Sequence, residues 1–353
     1  MSRLRNLLSL AKRRPQVAIT PSDAVHRENK WQLLRYRARP EGLAYRTPIV
    51  MVPSLINRHY VLDLAPGKSF VEFLVGRGHD VYIIDWGTPG DEDRYLTFDD
   101  ICDRYIGRAL RVAARTSGVD KVHVLGYCLG GTLTSIHTAA RPERIASHVA
   151  VAAPIRFADS GVLGTWTRSP TFDVRALVAA FGNVPWPLMQ ASFHLLKPTL
   201  GLWKAVNLID RAWDDEFLDG FFATERWGND NVSFPGEAYR RYIEDLYRDD
   251  AFVEGRFRLS GRPARLESIT CPTAVVTFEH DYIVPAACAD VLVERIASTD
   301  VRHIRMKGGH VGAVVSRKAS TGLWPELSEW WAERDAQGSP LRTHVPEIGL
   351  VNR

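Results

Sequence analysis

The sequence predicts an α/β fold in which a mostly parallel, doubly wound sheet carries a large helical cap insertion. Short β-branched segments alternate with helical segments from Thr47 to about residue 155, and the alternation resumes near residue 270. Such alternation is typical of parallel strands covered by helices on both faces. Between Pro154 and Ile269 the alternation stops, and helical spacing takes its place. The 45% hydrophobic and 24% charged residues exclude disorder or a coiled coil as descriptions of the whole chain.

The first half of the sheet is predicted from four apolar segments, and three helices are predicted between them. The strands are Pro48–Val52, Asp80–Asp85, Lys121–Leu125 and Ser147–Ala152. The helices are Ser69–Val75, a helix from Thr97 to Gly118, and Thr132–Ala140. Thr97 and Asp100 have the three-residue spacing of a capping box, which marks the start of the second helix.

The sheet is expected to resume after the insertion with two more strands and two more helices. The strands are Thr273–Phe278 and Val301–Met306, and the helices are Ala286–Ile296 and Trp324–Ala332. The predicted organisation is therefore a lead-in segment at 1–46, a core at 47–155 and 270–336, a cap at 156–269 and a tail at 337–353.

The inserted cap is expected to cover the C-terminal edge of the strands, where open α/β sheets place their sites. It is rich in tryptophan, including Trp166, Trp186, Trp213 and Trp227. We expect these side chains to belong to the core of the cap.

Charge and cysteine content exclude several classes of protein. A net charge of +4 is too small for a dedicated nucleic-acid-binding protein. The four cysteines form no C-x-x-C pair, so neither a metal site nor a disulfide scaffold is expected. No apolar run approaches the ~18 residues of a transmembrane helix, and the N-terminus lacks the pattern of a signal peptide. These features favour a reducing, cytoplasmic setting.

The segment Gly126–Gly131 (GYCLGG) carries the chemistry predicted from the sequence. It lies between a β-branched strand and a helix, which is the position of the nucleophile elbow in the α/β-hydrolase fold. The turn at such an elbow is strained, so the residues two positions before and two positions after the nucleophile, Gly126 and Gly130, must be small. The nucleophile predicted here is Cys128, where many elbows have serine.

A cysteine nucleophile needs a histidine as base and a carboxylate to orient that histidine. In the α/β-hydrolase fold these groups occur along the chain in the order nucleophile, carboxylate, histidine. Asp281 follows the strand Thr273–Phe278, and His310 follows the strand Val301–Met306 between glycines. We expect His310 to take the thiol proton and Asp281 to fix the histidine tautomer. The backbone N–H groups of Leu129 and Ile56 are the predicted oxyanion hole.

The sequence resembles the polyhydroxyalkanoate synthases over nearly its whole length, most closely the short catalytic subunit of the class III enzymes. The segments that carry the resemblance are His26–Tyr36, Ser54–Leu64, Pro66–Phe70, Asp85–Gly87, the elbow, Ala180–Val184, Val206–Asp210, Gly236–Tyr247 and Gly308–Gly312. The resemblance implies an acyltransferase that polymerises 3-hydroxyacyl groups from coenzyme A thioesters, with Cys128 as nucleophile, His310 as base and Asp281 as carboxylate.

The resemblance also implies partners but no cofactor, because the coenzyme A thioester is the substrate. A homodimer, a second synthase subunit and location at polymer granules are expected. The chain is shorter than the longer synthases, so the second subunit is expected to supply the missing function. Residues 1–14, with five basic residues around an apolar run, are a candidate helix for docking on that subunit or on the granule. Arg58 is a candidate ligand for a coenzyme A phosphate or a member of an ion pair.

Two other functions stay open at this stage. Dienelactone hydrolases also use a cysteine elbow, so a cysteine-dependent hydrolase or thioesterase is one alternative, although those chains lack a large cap. The other alternative is a non-catalytic, granule-associated homologue. The sequence argues against it because it keeps the complete set of Cys128, Asp281 and His310. Leu129 stands where class III synthases often have glutamine, which weakens the assignment to that class.

Overall fold

The computed structural model describes residues 15–197 and 199–336, which form an eight-stranded sheet with helices on both faces. The strands of the chain are β1 Ser22–Glu28, β2 Trp31–Tyr36, β3 Ile49–Val52, β4 Val81–Asp85, β5 Val122–Tyr127, β6 Ile145–Val151, β7 Arg258–Leu259, β8 Arg262–Pro263, β9 Thr273–Phe278 and β10 Val301–Met306. The sheet order is β1-β2-β4-β3-β5-β6-β9-β10, while β7 and β8 pair only with each other. All pairs from β4 to β10 in this order are parallel, which confirms the predicted mostly parallel sheet.

The first two strands were not predicted from the sequence. β1 and β2 form an antiparallel hairpin, and β2 extends the sheet by pairing antiparallel with β4. The hairpin turns at Asn29 and Lys30, and Asn29 has a φ of 52°. Asparagine tolerates such a left-handed conformation better than most residues. An Asn-containing two-residue turn between two short strands was the available signal for this hairpin.

Six helices accompany the strands of the core. They are α1 Phe70–Gly76, α2 Ile106–Thr116, α3 Leu129–Ala140, α10 Ala286–Arg295, α11 Gly312–Val315 and α12 Trp324–Ala336. A π-helical turn at Asp100–Tyr105 leads into α2. The predicted capping box before it is confirmed, because the Asp100 carboxylate accepts from the Thr97 N–H at 2.9 Å and Thr97 Oγ1 accepts from the Asp100 N–H at 3.1 Å.

The strand residues alternate between two apolar layers, one on each face of the sheet. Val50, Val52, Tyr82 and Ile84 lie in a cluster with residues of α2, α3 and α10. Ile49, Met51, Val81 and Ile83 lie in a second cluster with residues of α1 and α12. Because successive side chains of a strand point to opposite faces, short runs such as Ile49–Val52 must be apolar throughout.

The chain between β6 and β9 contains six further helices and covers the site. They are α4 Gly161–Thr167, α5 Val174–Phe181, α6 Trp186–Leu196, α7 Leu200–Asp210, α8 Asp215–Asn229 and α9 Gly236–Arg241, with a π-helical turn at Tyr242–Arg248. Val184 and Phe234 exchange two backbone hydrogen bonds within this region. The Val232 N–H donates to the carbonyl of Ile56 at 3.0 Å, which fixes the region to the loop after β3.

The expectation that the tryptophans of this region form its core was wrong for three of them. Trp227 is buried, but Trp166, Trp186 and Trp213 are 38%, 42% and 62% exposed. Helical spacing of apolar residues identifies a face but does not say what covers that face. Among the residues that the structure describes, no helix combines the length and apolar character needed to cross a bilayer.

Candidate active site

Cys128 lies in a strained turn between β5 and α3. Its backbone has φ 56° and ψ −128°, a combination that residues with a side chain rarely adopt. The Cys128 N–H donates to the carbonyl of Val151 at 2.9 Å, which ties the turn to the end of β6. Such strain is characteristic of a nucleophile elbow, because the turn makes the side chain project from the C-terminal edge of the sheet.

The glycines around Cys128 are required by close approach of other backbone and side-chain atoms. A Cβ at Gly126 would collide with Thr134 Oγ1, and one at Gly130 would collide with the carbonyl oxygen of Val52. A Cβ at Gly131 would collide with the side chain of Ala153. The elbow motif is therefore explained by packing at all three positions.

His310 and Asp281 form a buried pair beside Cys128. His310 Nδ1 lies 2.6 Å from Asp281 Oδ2, and both side chains are almost completely excluded from solvent. Asp281 Oδ1 accepts hydrogen bonds from the N–H groups of Ile283 and Val284 at 2.9 and 2.8 Å. With both carboxylate oxygens occupied in this way, Asp281 is placed where it can orient the imidazole and stabilise a positive charge on it.

The electrostatic surroundings of His310 favour its protonated form. Burial alone lowers the pKa of His310, but the charges of Cys128 and Asp281 and the hydrogen bonds to both side chains outweigh burial and raise that pKa to about 10. A histidine whose pKa is raised in this way is protonated at neutral pH. A protonated imidazole beside a cysteine is the arrangement that can stabilise a thiolate nucleophile.

The two residues of the predicted oxyanion hole are Leu129 and Ile56. Leu129 is the first residue of α3, so its N–H has no acceptor within the helix. The Ile56 N–H lies 3.3 Å from Ser54 Oγ, a long hydrogen bond. Both residues line the same cavity as Cys128.

The cavity at Cys128 is about 220 Å³ in volume and largely apolar. Its cap side includes Leu163, Phe172, Met189 and Phe193, and its floor includes Ile283 and Val284 beside Asp281. An apolar cavity of this size with one nucleophile at its base suits a short acyl chain.

Sequence reasoning missed three tyrosines in this cavity as site residues. Tyr239, Tyr242 and Tyr247 all line it. Burial raises the pKa of each, that of Tyr239 to about 12, so their hydroxyl groups stay protonated. The available signal was that all three fall in Gly236–Tyr247, one of the segments that carry the family resemblance.

The remaining candidates lie apart from this cavity or outside the described residues. Arg58 pairs with Asp230 at 3.2 Å and donates to Thr88 Oγ1 at 2.9 Å. Residues 1–14 and 337–353 lie outside the described residues. Within residues 15–197 and 199–336, no cluster of three or more His, Cys, Asp or Glu side chains could hold a metal ion.

Two family models match the chain. Residues 13–74 match the N-terminal region of poly-beta-hydroxybutyrate polymerase (PhaC), and residues 49–318 match the alpha/beta hydrolase family. The second match spans most of the sheet, the cap and the elbow, and it confirms the predicted α/β-hydrolase fold.

Several curated relatives are similar over most of the chain. A poly(3-hydroxyalkanoate) polymerase subunit PhaC of Allochromatium vinosum is 34% identical over 90% of this chain and 89% of its own length. The protein of the same name from Synechocystis is 31% identical over 95% of this chain and 90% of its own length. That of Haloferax mediterranei is 35% identical over 92% of this chain, which spans 66% of the relative.

Solved structures share the fold at low sequence identity. A monoacylglycerol lipase of Paleococcus ferrophilus is 19% identical, with a TM-score of 0.53 over 86% of this chain and 99% of the lipase. Est1E of Butyrivibrio proteoclasticus is 13% identical, with a TM-score of 0.52 over 89% of this chain and 99% of that protein.

Proposed function

The chain belongs to the poly(3-hydroxyalkanoate) polymerase family, and from this premise we propose that it polymerises 3-hydroxyacyl groups taken from coenzyme A thioesters. The observation that carries the proposal is the strained Cys128 beside the buried pair of His310 and Asp281. These groups are the nucleophile, the base and the orienting carboxylate of an acyltransferase.

The first step transfers the acyl group to the enzyme. The Cys128 thiolate attacks the thioester carbonyl, and the developing oxyanion is stabilised by the N–H groups of Leu129 and Ile56. The bond from the carbonyl carbon to the sulfur of coenzyme A then breaks, and protonated His310 supplies the proton for the leaving thiolate. One thioester replaces another, so the acyl group on Cys128 remains activated.

The second step lengthens the polymer. The 3-hydroxyl of the next acyl group attacks the carbonyl of the thioester on Cys128, an ester bond forms and the Cys128 thiolate leaves. A base must take the hydroxyl proton, and His310 or Asp281 is a candidate for this role. The hydrogen bonds at both oxygens of Asp281 support His310 as that base.

The cap cavity favours polymerisation over hydrolysis. Apolar side chains such as Leu163 and Phe193 surround the nucleophile, and the tyrosines of the cavity add buried hydroxyl groups. Water that reached the acyl group on Cys128 would release a free acid, so an enclosed apolar site protects the growing chain.

A turnover assay separates this function from its two rivals. Purified protein is given 3-hydroxybutyryl-coenzyme A, and free coenzyme A, insoluble polymer and free 3-hydroxybutyrate are measured. Coenzyme A with polymer supports the proposal, coenzyme A with free acid supports a hydrolase or thioesterase, and no turnover supports a non-catalytic homologue. Cys128→Ala must abolish turnover, and unchanged turnover in this variant would refute the role of the cysteine.

We extend the proposal to the partners that class III synthases imply. The chain would work as a homodimer with a second subunit at the granule surface, and residues 1–14 would contribute to that docking. The assay is repeated with the second subunit added and with residues 1–14 deleted. Unchanged turnover, subunit binding and granule attachment after the deletion would refute the docking role of this segment.

A further inference from the structure

A second cavity lies at the end of α3 that is remote from Cys128. It has a volume of about 490 Å³ and is bounded by α2, the π-helical turn before α2 and the segment after α3. Because α3 has twelve residues, this end of the helix is about 18 Å from the end next to Cys128. The cavity therefore lies well away from the proposed site of acyl transfer.

Arginine dominates the charge of this cavity. Five arginines line it against two carboxylates, and one of the five, Arg104, pairs outside the cavity lining with Asp100 at 3.2 Å and Glu28 at 3.5 Å. The five are Arg104, Arg111, Arg141, Arg144 and Arg262. Arg108 lies on the same exposed face of α2, three residues before Arg111.

The two carboxylates are already neutralised by two of the arginines. Asp103 accepts from Arg141 through both carboxylate oxygens, at 3.0 and 2.8 Å. Glu143 accepts from Arg262 at 3.1 Å. Arg111 and Arg144 themselves have no carboxylate within ion-pair distance among the residues that the structure describes.

The unpaired guanidinium groups repel one another. The pKa of Arg111 is lowered by burial and then by the positive charges of Arg108 and Arg144, and the more distant carboxylates of Asp103 and Glu28 offset this only in part. A cluster of like charges lowers the stability of the free protein, and an anion placed between the guanidinium groups would relieve that repulsion.

We propose that this cavity binds a phosphate or pyrophosphate group of a small molecule, with Arg111 and Arg144 as its principal ligands. The planar guanidinium group presents paired N–H donors that match two oxygens of a phosphate. The cavity lies within the ~300–1,000 Å³ range of small-molecule sites, whereas a docking surface for a macromolecule is flatter. This site goes beyond the proposed polymerase function, because it lies at the far end of α3 from Cys128.

Calorimetric titration with inorganic pyrophosphate tests the site directly. Wild type, the double variant Arg111→Gln/Arg144→Gln and the control Arg317→Gln are titrated at low ionic strength. Arg317 is an exposed arginine that pairs with Glu216 outside the cavity, so it controls for the loss of a surface positive charge. We expect binding by wild type and the control, and binding at least tenfold weaker by the double variant.

Thermal unfolding provides a second readout that does not depend on calorimetric heat. Pyrophosphate should raise the Tm of wild type and Arg317→Gln, and it should leave the Tm of the double variant almost unchanged. All three forms should keep their turnover of 3-hydroxybutyryl-coenzyme A, so a failure of the proposed polymerase function would be recognised separately.

Three results would overturn the inference. Equal binding of pyrophosphate by wild type and the double variant would place the anion elsewhere, for example where the pyrophosphate of coenzyme A binds. Absence of binding by wild type would exclude the site. If the protein bound vesicles that contain phosphatidic acid but did not bind soluble pyrophosphate, the arginines would be a binding surface for lipid and not a site for a small molecule.

Discussion

His310 Nδ1 and Asp281 Oδ2 lie 2.6 Å apart in a site where neither side chain is open to solvent. Asp281 comes from the loop after β9 and His310 from the loop after β10, two strands that are parallel neighbours. The pair exists because parallel neighbours end at the same edge of the sheet.

Asp281→Asn should reduce kcat by about a thousandfold or more with little effect on KM. The amide would still accept from the N–H groups of Ile283 and Val284, but it would no longer stabilise a positively charged His310. Steady-state release of coenzyme A measures the effect. Asp290→Asn, which removes an ion pair with Arg305 outside the site, is the control and should keep nearly full activity. Equal rates in the two variants would contradict the assigned role.

Cys128→Ala should lower the pKa of His310 well below about 10, because it removes the negative charge that helps to raise that pKa. Because the pKa of His310 is higher in the folded protein than the ~6.5 of the unfolded chain, its protonation stabilises the fold. This contribution is fully present below pH ~6.5 and is lost as the pH rises towards 10. Titration of the histidine ring by NMR measures the pKa. Urea unfolding between pH 6.5 and 10 should show a smaller contribution from His310 in the variant. An unchanged pKa would exclude a charged Cys128 in the folded protein.

Gly130→Ala should lower the free energy of unfolding by on the order of 3 kcal/mol or more, because its Cβ would overlap the carbonyl oxygen of Val52. Gly228→Ala, in α8, is the control because its Cβ would meet open space. There the free energy should stay the same or rise by up to ~1 kcal/mol, since alanine favours a helix. Chemical denaturation compares the two variants, and equal stabilities would contradict the packing account of the elbow.

Phe172→Ala should shift substrate preference towards longer acyl chains, because removing the ring enlarges the cavity above Cys128. We expect the ratio of kcat/KM for 3-hydroxyhexanoyl- over 3-hydroxybutyryl-coenzyme A to rise about tenfold. Phe222→Ala, in α8 and outside the residues that line the cavity, is the matched control. A ratio that stays constant, or that rises equally in both variants, would show that Phe172 does not limit chain length.

Local patterns were sufficient to predict the parallel sheet and the residues of the candidate site. The elbow could be recognised because a strained strand-to-helix turn tolerates only glycine at positions 126, 130 and 131, and this restriction is visible in the sequence itself. Asp281 and His310 could be placed because each follows a predicted strand of the same parallel sheet. The roles of these residues in catalysis remain predictions that the experiments above would test.

Other features depended on contacts between residues far apart in the chain. The β1–β2 hairpin joins the sheet by pairing with β4, and the largely polar sequence of β1 lacks the apolar run by which the central strands were identified. Trp166, Trp186 and Trp213 have the spacing of core residues but are exposed, since burial depends on which helix lies opposite. Tyr239, Tyr242 and Tyr247 line the Cys128 cavity although more than a hundred residues separate them from Cys128 in the chain.

The sequence by itself determined the fold, the elbow and the order of nucleophile, acid and histidine, because these follow from spacing along one strand or one turn. Only the tertiary structure decided the shape of the cavity above Cys128 and the arginine cavity at the other end of α3. Arg111 and Arg144 are 33 residues apart in the chain, and their neighbours Asp103 and Glu143 are neutralised by Arg141 and Arg262. Whether a charge is paired is a property of distances in space, so no pattern of single residues reveals it.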